Sequence, residues 1–515
     1  MLFSLIAAPL IRAVVKDGLK QLTLPETFAA LMRDEVDSFP ALRPHQTHAW
    51  HMFLAQLGAI ALHRADEQDS PADAAAWAKL LLNLTGGMEE PWSLVVDDLT
   101  RSAFLQPPVP EGALSALKNT IPTPDALDVL ITARNFDLKS GVMTTAEPDD
   151  WLFALVSLQT MEGFLGAGNY GVARMNGGFS ARPFLGLAPA GGPGAHLRRD
   201  IRAMLAGRDR LVDDYPFYDP DGVALVWLEP WDGKTSLRLD RLDPWFIEIC
   251  RRVRFAPDGG GFVVRGAGTS VARIDAKALN GVTGDFWAPV NDADNKSFSL
   301  DARGFSYRVL CQLLFGDGTR RFRLPPAMQA QPLEKDMTMI ARGVTRGQGK
   351  TEGFHERAVP VRRSLARGLL SPEQRATLGQ VADLQQREIA QVAKALRFAC
   401  AVVAVGGAQD QPGKDDYAHA DPFVRRLEGE ADARFFDVLQ DRVEQGEMAK
   451  APWLHHLIVY AGKLLDQAIE TIPCPVQHRW RARARAPGAF YGALWKGALV
   501  NDRELIFPKK EKADA

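Results

Sequence analysis

The fold is decided by the stretch SPEQRATLGQVADLQQREIAQVAKAL, residues 371–396. It opens with Ser-Pro-Glu-Gln, in which a serine cap and a glutamine three positions later are typical of a helix N-terminus. The apolar residues that follow recur every three or four positions and predict one long amphipathic helix. They are Leu378, Val381, Ala382, Ile389, Val392 and Leu396.

Three more helices are expected downstream. One begins at Asp421-Pro422, the next is centred on 454–465, and the last and least regular covers 476–500. Four amphipathic helices joined by polar loops predict an antiparallel four-helix bundle in residues 361–515.

Upstream of the bundle the pattern is mixed. Helices are expected at 45–65 and 151–165, where broad apolar faces recur at helical spacing. The segments 223–231, 251–266 and 304–314 indicate strands, the second of them a hairpin with a Pro-Asp-Gly turn. The sequence therefore predicts an α+β chain, with a large mixed α/β N-terminal domain at 1–360 followed by the bundle.

Composition narrows the class of protein. The 515 residues are 46% hydrophobic and 24% charged, which excludes a disordered chain or a coiled coil. Against 63 Asp and Glu stand 61 Lys and Arg, a formal charge of −2, so a polyanion would have to meet a local basic patch.

The cysteines and the N-terminus bear on location. Four widely separated cysteines without a CxxC pair fit neither a disulfide framework nor a cysteine-rich zinc site. The apolar start of the chain is interrupted by Pro9, Arg12 and Lys16, and it lacks a positive n-region. We therefore expect a buried leading strand, a cytoplasmic protein and no membrane association.

A glycine-dense stretch fills 166–195 and contains GAGNYG at 166–171, which matches the GxGxxG dinucleotide fingerprint. That fingerprint requires a preceding strand, but a helix is expected there, and no acid lies at the ribose-binding distance. Three interpretations stay open: a nucleotide site, a glycine loop that approaches another polyanion, and an inert surface loop.

The segment 341–367 is locally basic. Its two acids, Glu352 and Glu356, are outnumbered by Arg342, Arg346, Lys350, Arg357, Arg362, Arg363 and Arg367. Gln348 lies between two glycines at the centre of its first half. An amide flanked by cations suits nucleic acid, because cations hold phosphates while an amide can pair with base edges; a solvated charged loop is the alternative.

Other polar groups carry weaker signals. The arginine run at 478–486 would spread around a helix, so its partner could be an acidic protein, an RNA backbone or solvent.

His45, His48 and His51 lack a nearby carboxylate or thiol in the sequence, so packing or surface roles are expected and no metal site or cofactor. No recognised catalytic motif appears, so the chain is not expected to be an enzyme.

The ordered set of motifs resembles the CasA family, the large subunit of the type I-E CRISPR surveillance complex Cascade. The resemblance runs over nearly the whole chain. The parts that carry it are FDLKSG at 136–141, the helix leading into GAGNYG and NGG, LDPWFIEICRRVRF at 242–255, RGVTRGQGKTEGFHER at 342–357 and the final bundle.

The resemblance implies a non-catalytic subunit that recognises the protospacer-adjacent motif (PAM) on double-stranded DNA, mainly from the minor groove. The family's glycine loop falls on Gly166, Ala167, Gly168 and Asn169, its lysine finger on Lys296, and its glutamine wedge on Gln348. Ala167 and Asn169 interrupt what is a run of glycines in other members. The PAM preference of those members therefore cannot be transferred to this chain.

The resemblance also implies partners. Lys139 should lie near the 5′ handle of the guide RNA and a backbone subunit, while Arg342, Arg346 and Lys350 are expected to contact phosphate or guide RNA. The bundle should face the small subunits and the displaced strand, and the surface should help recruit the helicase-nuclease. The rival functions are a nucleotide-dependent enzyme using 166–171 and a purely structural scaffold.

Overall fold

The computed structural model describes residues 3–128, 143, 145–161, 171–177, 181–258, 261–329, 337–347, 350–408 and 412–507. The chain divides into two compact units. The first comprises Met1–Phe305 and Gly318–Val361, and the second comprises Ser306–Asp317 and Arg362–Ala515. Ser306–Asp317 therefore belongs to the second unit by its contacts, although it precedes residue 360 in the sequence.

The first unit is built on helices with a large apolar core. Its helices are α1 (Leu24–Met32), α2 (Thr47–Arg64), α3 (Ala74–Asn83), α4 (Pro124–Leu127), α5 (Pro148–Met161), α6 (Pro193–Ala206) and α7 (Arg208–Asp214). Helices α2 and α5 are buried on nearly all sides, which is typical of helices at the centre of a large core. The helix expected at 45–65 is confirmed, and the helix expected at 151–165 is confirmed over its described part, up to Met161.

The strands of the first unit form small sheets of two or three strands. The strands are β1 (Ile11–Val15), β2 (Gly18–Leu22), β3 (Val36–Ser38), β4 (Asn119–Ile121), β5 (Phe184–Pro189), β6 (Val223–Leu225), β7 (Leu242–Ile247), β8 (Arg252–Asp258), β9 (Gly261–Ala267), β10 (Val290–Asn291), β11 (Lys296–Ser297), β12 (Phe322–Arg323), β13 (Met337–Gly347) and β14 (Lys350–Val361). The sheets have strand orders β2-β1-β3, β11-β10-β12, β14-β13-β5, β4-β9-β8 and β6-β7. The buried leading strand (β1) and the hairpin at 251–266 (β8 and β9) are confirmed.

The second unit is helical. It contains α8 (Tyr307–Phe315), α9 (Arg363–Leu370), α10 (Pro372–Ala404), α11 (Lys414–Ala418), α12 (Asp421–Gln445), α13 (Glu447–Thr471), α14 (Arg479–Leu494) and α15 (Arg503–Ile506). The long helices α10, α12, α13 and α14 form the predicted bundle. Ser371 caps α10 as predicted, because its hydroxyl accepts a hydrogen bond from the backbone N–H of Gln374 at 3.1 Å.

Two strand predictions differ from the structure. The strand expected at 304–314 is wrong, because Tyr307–Phe315 is helix α8. Its N-terminus is held by Asp432, whose carboxylate accepts a hydrogen bond from the backbone N–H of Tyr307 at 2.6 Å, and the Tyr307 ring stacks on Phe435 at 4.6 Å. Of the strand expected at 223–231, only Val223–Leu225 is extended, and a 3₁₀ turn follows.

None of the helices in the described ranges is both long enough and apolar enough to cross a bilayer.

Candidate nucleic-acid interface

The hairpin β13–β14 carries the predicted wedge residue at its end. The two strands pair from Met337 with Val361 up to Gly347 with Lys350, with one irregularity beside Thr345. This register makes Gln348 and Gly349 the whole connection between the strands. Gln348 itself lies outside the described residues.

The segment after β11 supports this hairpin from the side. The hydroxyl of Thr345 donates to the backbone carbonyl of Asp301 at 3.2 Å. A Cβ on Gly343 would lie 3.2 Å from the Leu300 side chain, so the absence of a side chain allows the close packing there. The hairpin is thus fixed to the chain just after Lys296.

Lys296 lies at the start of β11, directly after a tight turn. It pairs with Asn291 of β10, and Asn295 in the turn has a φ of 49°, in the left-handed region. The Lys296 side chain is partly exposed and forms none of the ion pairs found among the described residues. Because the Lys296 ammonium is partly exposed and follows a short turn, it is accessible to a ligand.

Gly281 joins this strand to the chain that follows the glycine loop. It has a φ of 80°, and a Cβ there would lie 2.2 Å from Ser297 Oγ, 2.4 Å from the carbonyl carbon of Met175 and 2.7 Å from the nitrogen of Asn176. Only glycine fits such an approach. We call this contact of Gly281 with residues 175–176 and Ser297 the Gly281 junction.

The junction brings the chain that follows the predicted loop against the residue after Lys296. Residues 175–176 follow the predicted loop, Ser297 follows Lys296, and the segment from Ser297 leads to the hairpin contact at Asp301. The loop residues Gly166, Ala167, Gly168 and Asn169 lie outside the described residues, as does Lys139.

A buried carboxylate anchors the same segment on its other side. Glu248 accepts a hydrogen bond from the backbone N–H of Ala173 at 2.7 Å, and it is 3% exposed. Arg174 donates to the carbonyls of Pro244 and Phe246 and lies over the Phe246 ring at 4.0 Å. Burial raises the pKa of the Glu248 carboxyl above its usual value. This anchor is not among the residues predicted from the sequence, in which the acid within the apolar run WFIEIC was the available signal.

The basic residues of the hairpin are partly neutralised. Arg342 pairs with Glu356 across the strands at 3.0 Å, and its side chain is 17% exposed. If Arg342 contacts a phosphate, its guanidinium therefore binds the phosphate and the Glu356 carboxylate together. Arg346 and Lys350 lie near the tip on the two strands, but their side chains lie outside the described part.

In the second unit, the arginine run at 478–486 is largely structural. Arg481 donates to the carbonyl of Gly406 and Arg485 to that of Gly407, each at 2.8 Å, and these carbonyls follow the end of α10. Arg483 pairs with Glu470. Trp480, between these arginines, is 84% exposed.

The three histidines near residue 48 have separate surroundings. His45 Nε2 lies 2.8 Å from the Asp128 carboxylate, and the buried His48 ring stacks on Phe354 at 5.9 Å. His51 Nε2 lies 2.9 Å from the Asp200 carboxylate.

Comparisons with known proteins identify the fold. No family model matches the sequence, and no curated protein matches it. Among solved structures, Thermus thermophilus CasA is 18% identical with a TM-score of 0.66 and covers 96% of this chain and 99% of its own. Thermobifida fusca Cse1 is 16% identical with a TM-score of 0.64, covering 97% and 98%. Acidimicrobium ferrooxidans Cse1 is 16% identical with a TM-score of 0.61, covering 96% and 98%. At these identities the likeness establishes the fold over almost the whole chain, and at that level the resemblance drawn from the motifs is confirmed.

Proposed function

Because the chain has the fold of the CasA and Cse1 structures, we propose that it is the non-catalytic large subunit of a type I-E Cascade complex. In that role it recognises the PAM on double-stranded DNA and starts R-loop formation. The observation that carries the proposal is the Gly281 junction, which ties the chain after the glycine loop to the strand of Lys296. The segment after Lys296 in turn supports the hairpin that ends in Gln348.

The chemistry of the three elements fits a minor groove. The groove is only about 6 Å wide, so a loop with small or no side chains at 166–169 can enter where bulkier residues would clash. Lys296 can donate to the acceptors on its floor. These acceptors are nearly the same for A·T and T·A pairs, so several motifs should be tolerated.

Gln348 is proposed to insert beside the motif and disturb the next base step. Unstacking one step costs a few kcal/mol, which contacts with the protein and the first guide base pairs then offset. The flanking strands pair up to Gly347 with Lys350, so the wedge would project from the end of a paired hairpin.

The same proposal assigns partners. Lys139 would contact the 5′ handle of the guide RNA near a backbone subunit, with Arg342, Arg346 and Lys350 as phosphate or guide-RNA contacts. The helical bundle would face the small subunits and the displaced strand. The surface of the subunit would help recruit the helicase-nuclease in the cytoplasm.

The rival function, a nucleotide-dependent enzyme, has less support. A dinucleotide-binding glycine loop follows a strand and begins a helix. Here the described chain before the loop is helix α5, which extends to Met161. A thermal-shift screen with dinucleotides and nucleoside triphosphates tests this rival, since a bound nucleotide would raise the melting temperature.

The proposal is tested by Gln348→Ala in the complete complex assembled with guide RNA. We expect normal assembly and an R-loop formation rate on duplex DNA that falls by at least about tenfold, because the wedge offsets part of the unstacking cost. A target with unpaired bases next to the motif is the matched control. On that target the variant should recover the wild-type rate, because the step that needs the wedge is already complete.

Two results would contradict the wedge. One is an unchanged rate on the closed duplex. The other is an equal loss on the pre-opened target, which would indicate a general defect in binding.

A further inference from the structure

Two histidines and an aspartate converge within the first unit. His51 comes from α2, and His196 and Asp200 lie one helical turn apart on α6. The helices approach closely because α2 has a glycine at the contact, where a Cβ on Gly58 would lie 2.7 Å from the Ile201 side chain. We call His51, His196 and Asp200 the His51 cluster.

The ligand atoms of the cluster lie close enough together to share one small metal ion. His51 Nε2 lies 2.9 Å from Asp200 Oδ2, and His196 Nε2 lies 3.6 Å from the same oxygen. One possible ligand atom from each residue lies within 4.8 Å of the others. Around a tetrahedral Zn²⁺ with bonds of 2.0–2.2 Å, neighbouring ligand atoms are roughly 3.3 Å apart.

A second observation points to a ligand at this place. His196 Nε2 is buried and has no hydrogen-bond partner among the described residues, and the whole residue is 7% exposed. A buried ring nitrogen without a partner is costly, because the group has lost its hydration without compensation. The nitrogen faces Asp200 at a distance too long for a hydrogen bond but suited to a shared ion.

The surroundings hold the carboxylate in place. Trp287 Nε1 donates to Asp200 Oδ2 at 3.0 Å, and Arg199 donates to Asp200 Oδ1 at 2.9 Å. Hydrogen bonds of this kind orient carboxylate ligands in metal sites. Arg199 also places a positive charge beside the cluster, which its pairing with Asp200 offsets.

A cavity of about 260 Å³ lies against the cluster and is lined by both histidines. The rest of its wall is mainly apolar and includes Phe39, Leu54 and Ile340. The cavity offers space for a water molecule or another small ligand next to the two imidazoles. An ion held by three side chains would thus have a fourth position available.

We propose that His51 Nε2, His196 Nε2 and Asp200 Oδ2 bind one divalent transition metal ion, with Zn²⁺ as the best match. Two imidazoles and one carboxylate form a ligand set that suits Zn²⁺ and its neighbours better than Mg²⁺ or Ca²⁺. Binding exchanges the His51–Asp200 hydrogen bond for two metal bonds and gives His196 Nε2 a partner. The fourth position faces the cavity.

The test uses the full chain, freed of metal with a chelator and titrated with Zn²⁺ by calorimetry. Titration with Co²⁺, whose tetrahedral complexes absorb visible light strongly, reports the coordination geometry. We expect one ion per chain in the wild type. In His196→Ala we expect the affinity to fall by at least about tenfold and the cobalt spectrum to disappear.

His196→Gln keeps most of the side-chain volume and should give the same loss, which separates binding from folding. The matched control is His456→Ala in the second unit, where His456 Nε2 lies 2.7 Å from Glu430. The control should bind like the wild type. Absence of binding by the wild type, or equal binding by folded His196 variants, would overturn the proposal.

Discussion

Glu248 illustrates how a single buried side chain can organise a backbone segment. Its carboxylate accepts the hydrogen bond of the Ala173 N–H, directly after the predicted glycine loop, while Arg174 is held by carbonyls of β7. A buried, hydrogen-bonded carboxylate holds a backbone more precisely than surface contacts do. The cost of burial appears in the raised pKa of Glu248.

We predict that Glu248→Gln stabilises the protein at neutral pH. The amide keeps an acceptor for Ala173 but carries no charge. Because the folded pKa of Glu248 is raised, the folded state holds its proton more tightly than the unfolded chain does. The contribution of Glu248 to stability is therefore complete below the unfolded pKa, which is about 4.5, and is lost as the pH rises through the folded pKa.

Urea unfolding of both proteins between about pH 5 and about pH 8 checks this prediction. The advantage of the glutamine variant should grow with pH. Glu35→Gln is the matched control, and for it we expect the opposite change of stability with pH. The Arg33 hydrogen bond lowers the pKa of the Glu35 carboxyl instead of raising it. A glutamine variant at 248 that is less stable than the wild type at every pH would contradict the expected sign.

Lys296 permits a second test at the residue scale. In the assembled complex, Lys296→Ala should weaken binding to duplexes that carry the motif, since one good contact to base edges contributes about 1–3 kcal/mol. Binding to motif-free DNA should change little. Lys277→Ala, which removes an exposed lysine from the short helix before Gly281, is the control. Equal losses on both DNAs would make Lys296 a general phosphate contact.

At the scale of elements, the Gly281 junction is the contact on which the proposed interface depends. Gly281→Ala should disturb it, because a side chain at φ 80° is strained and its Cβ would overlap the backbone at 175–176. We expect a loss of stability of about 2 kcal/mol or more together with weaker motif-dependent binding. Thermal unfolding and DNA titration of the assembled complex measure the two effects.

The matched control for that substitution is Gly177→Ala. A Cβ at Gly177 meets no atom of the described residues within 4 Å, although Gly177 lies in the same segment. The control should retain stability and binding. If both alanine variants behaved alike, the junction would have no special role.

Elements whose signals are local could be predicted from the sequence, and those fixed by distant partners could not. The helix α10 was predictable because its cap and its apolar repeat lie within one segment. The sequence of helix α8 predicts a strand equally well because a short apolar run fits either structure, and its capping partner Asp432 is far away in the sequence. The junction had only Asn280-Gly281 as a sign, which by itself indicates no more than a turn.

At the scale of the whole molecule, the order of motifs carried more information than any single motif. Neither a family model nor a curated relative matches the sequence, yet the CasA fold extends over 96% of the chain. Folds persist at such low identity because the apolar pattern and the turn positions can be kept while most residues change. The residues proposed to touch DNA are few, and the part of their proposed arrangement that the structure describes is the contact around the junction.

The near-neutral charge of the chain leads to a prediction about the assembled complex. With a formal charge of −2, the chain cannot attract DNA by an overall field, so in the proposed complex its contribution should come from a few local contacts. Incubated with a library of duplexes that carry a randomised motif, the complex should enrich a short set of sequences. Some positions should accept more than one base, because the minor groove distinguishes A·T from T·A poorly.

The enrichment should persist when the salt concentration is raised, whereas non-specific binding, which depends on phosphate contacts, should fall steeply. Uniform recovery of all motifs would instead indicate a scaffold subunit.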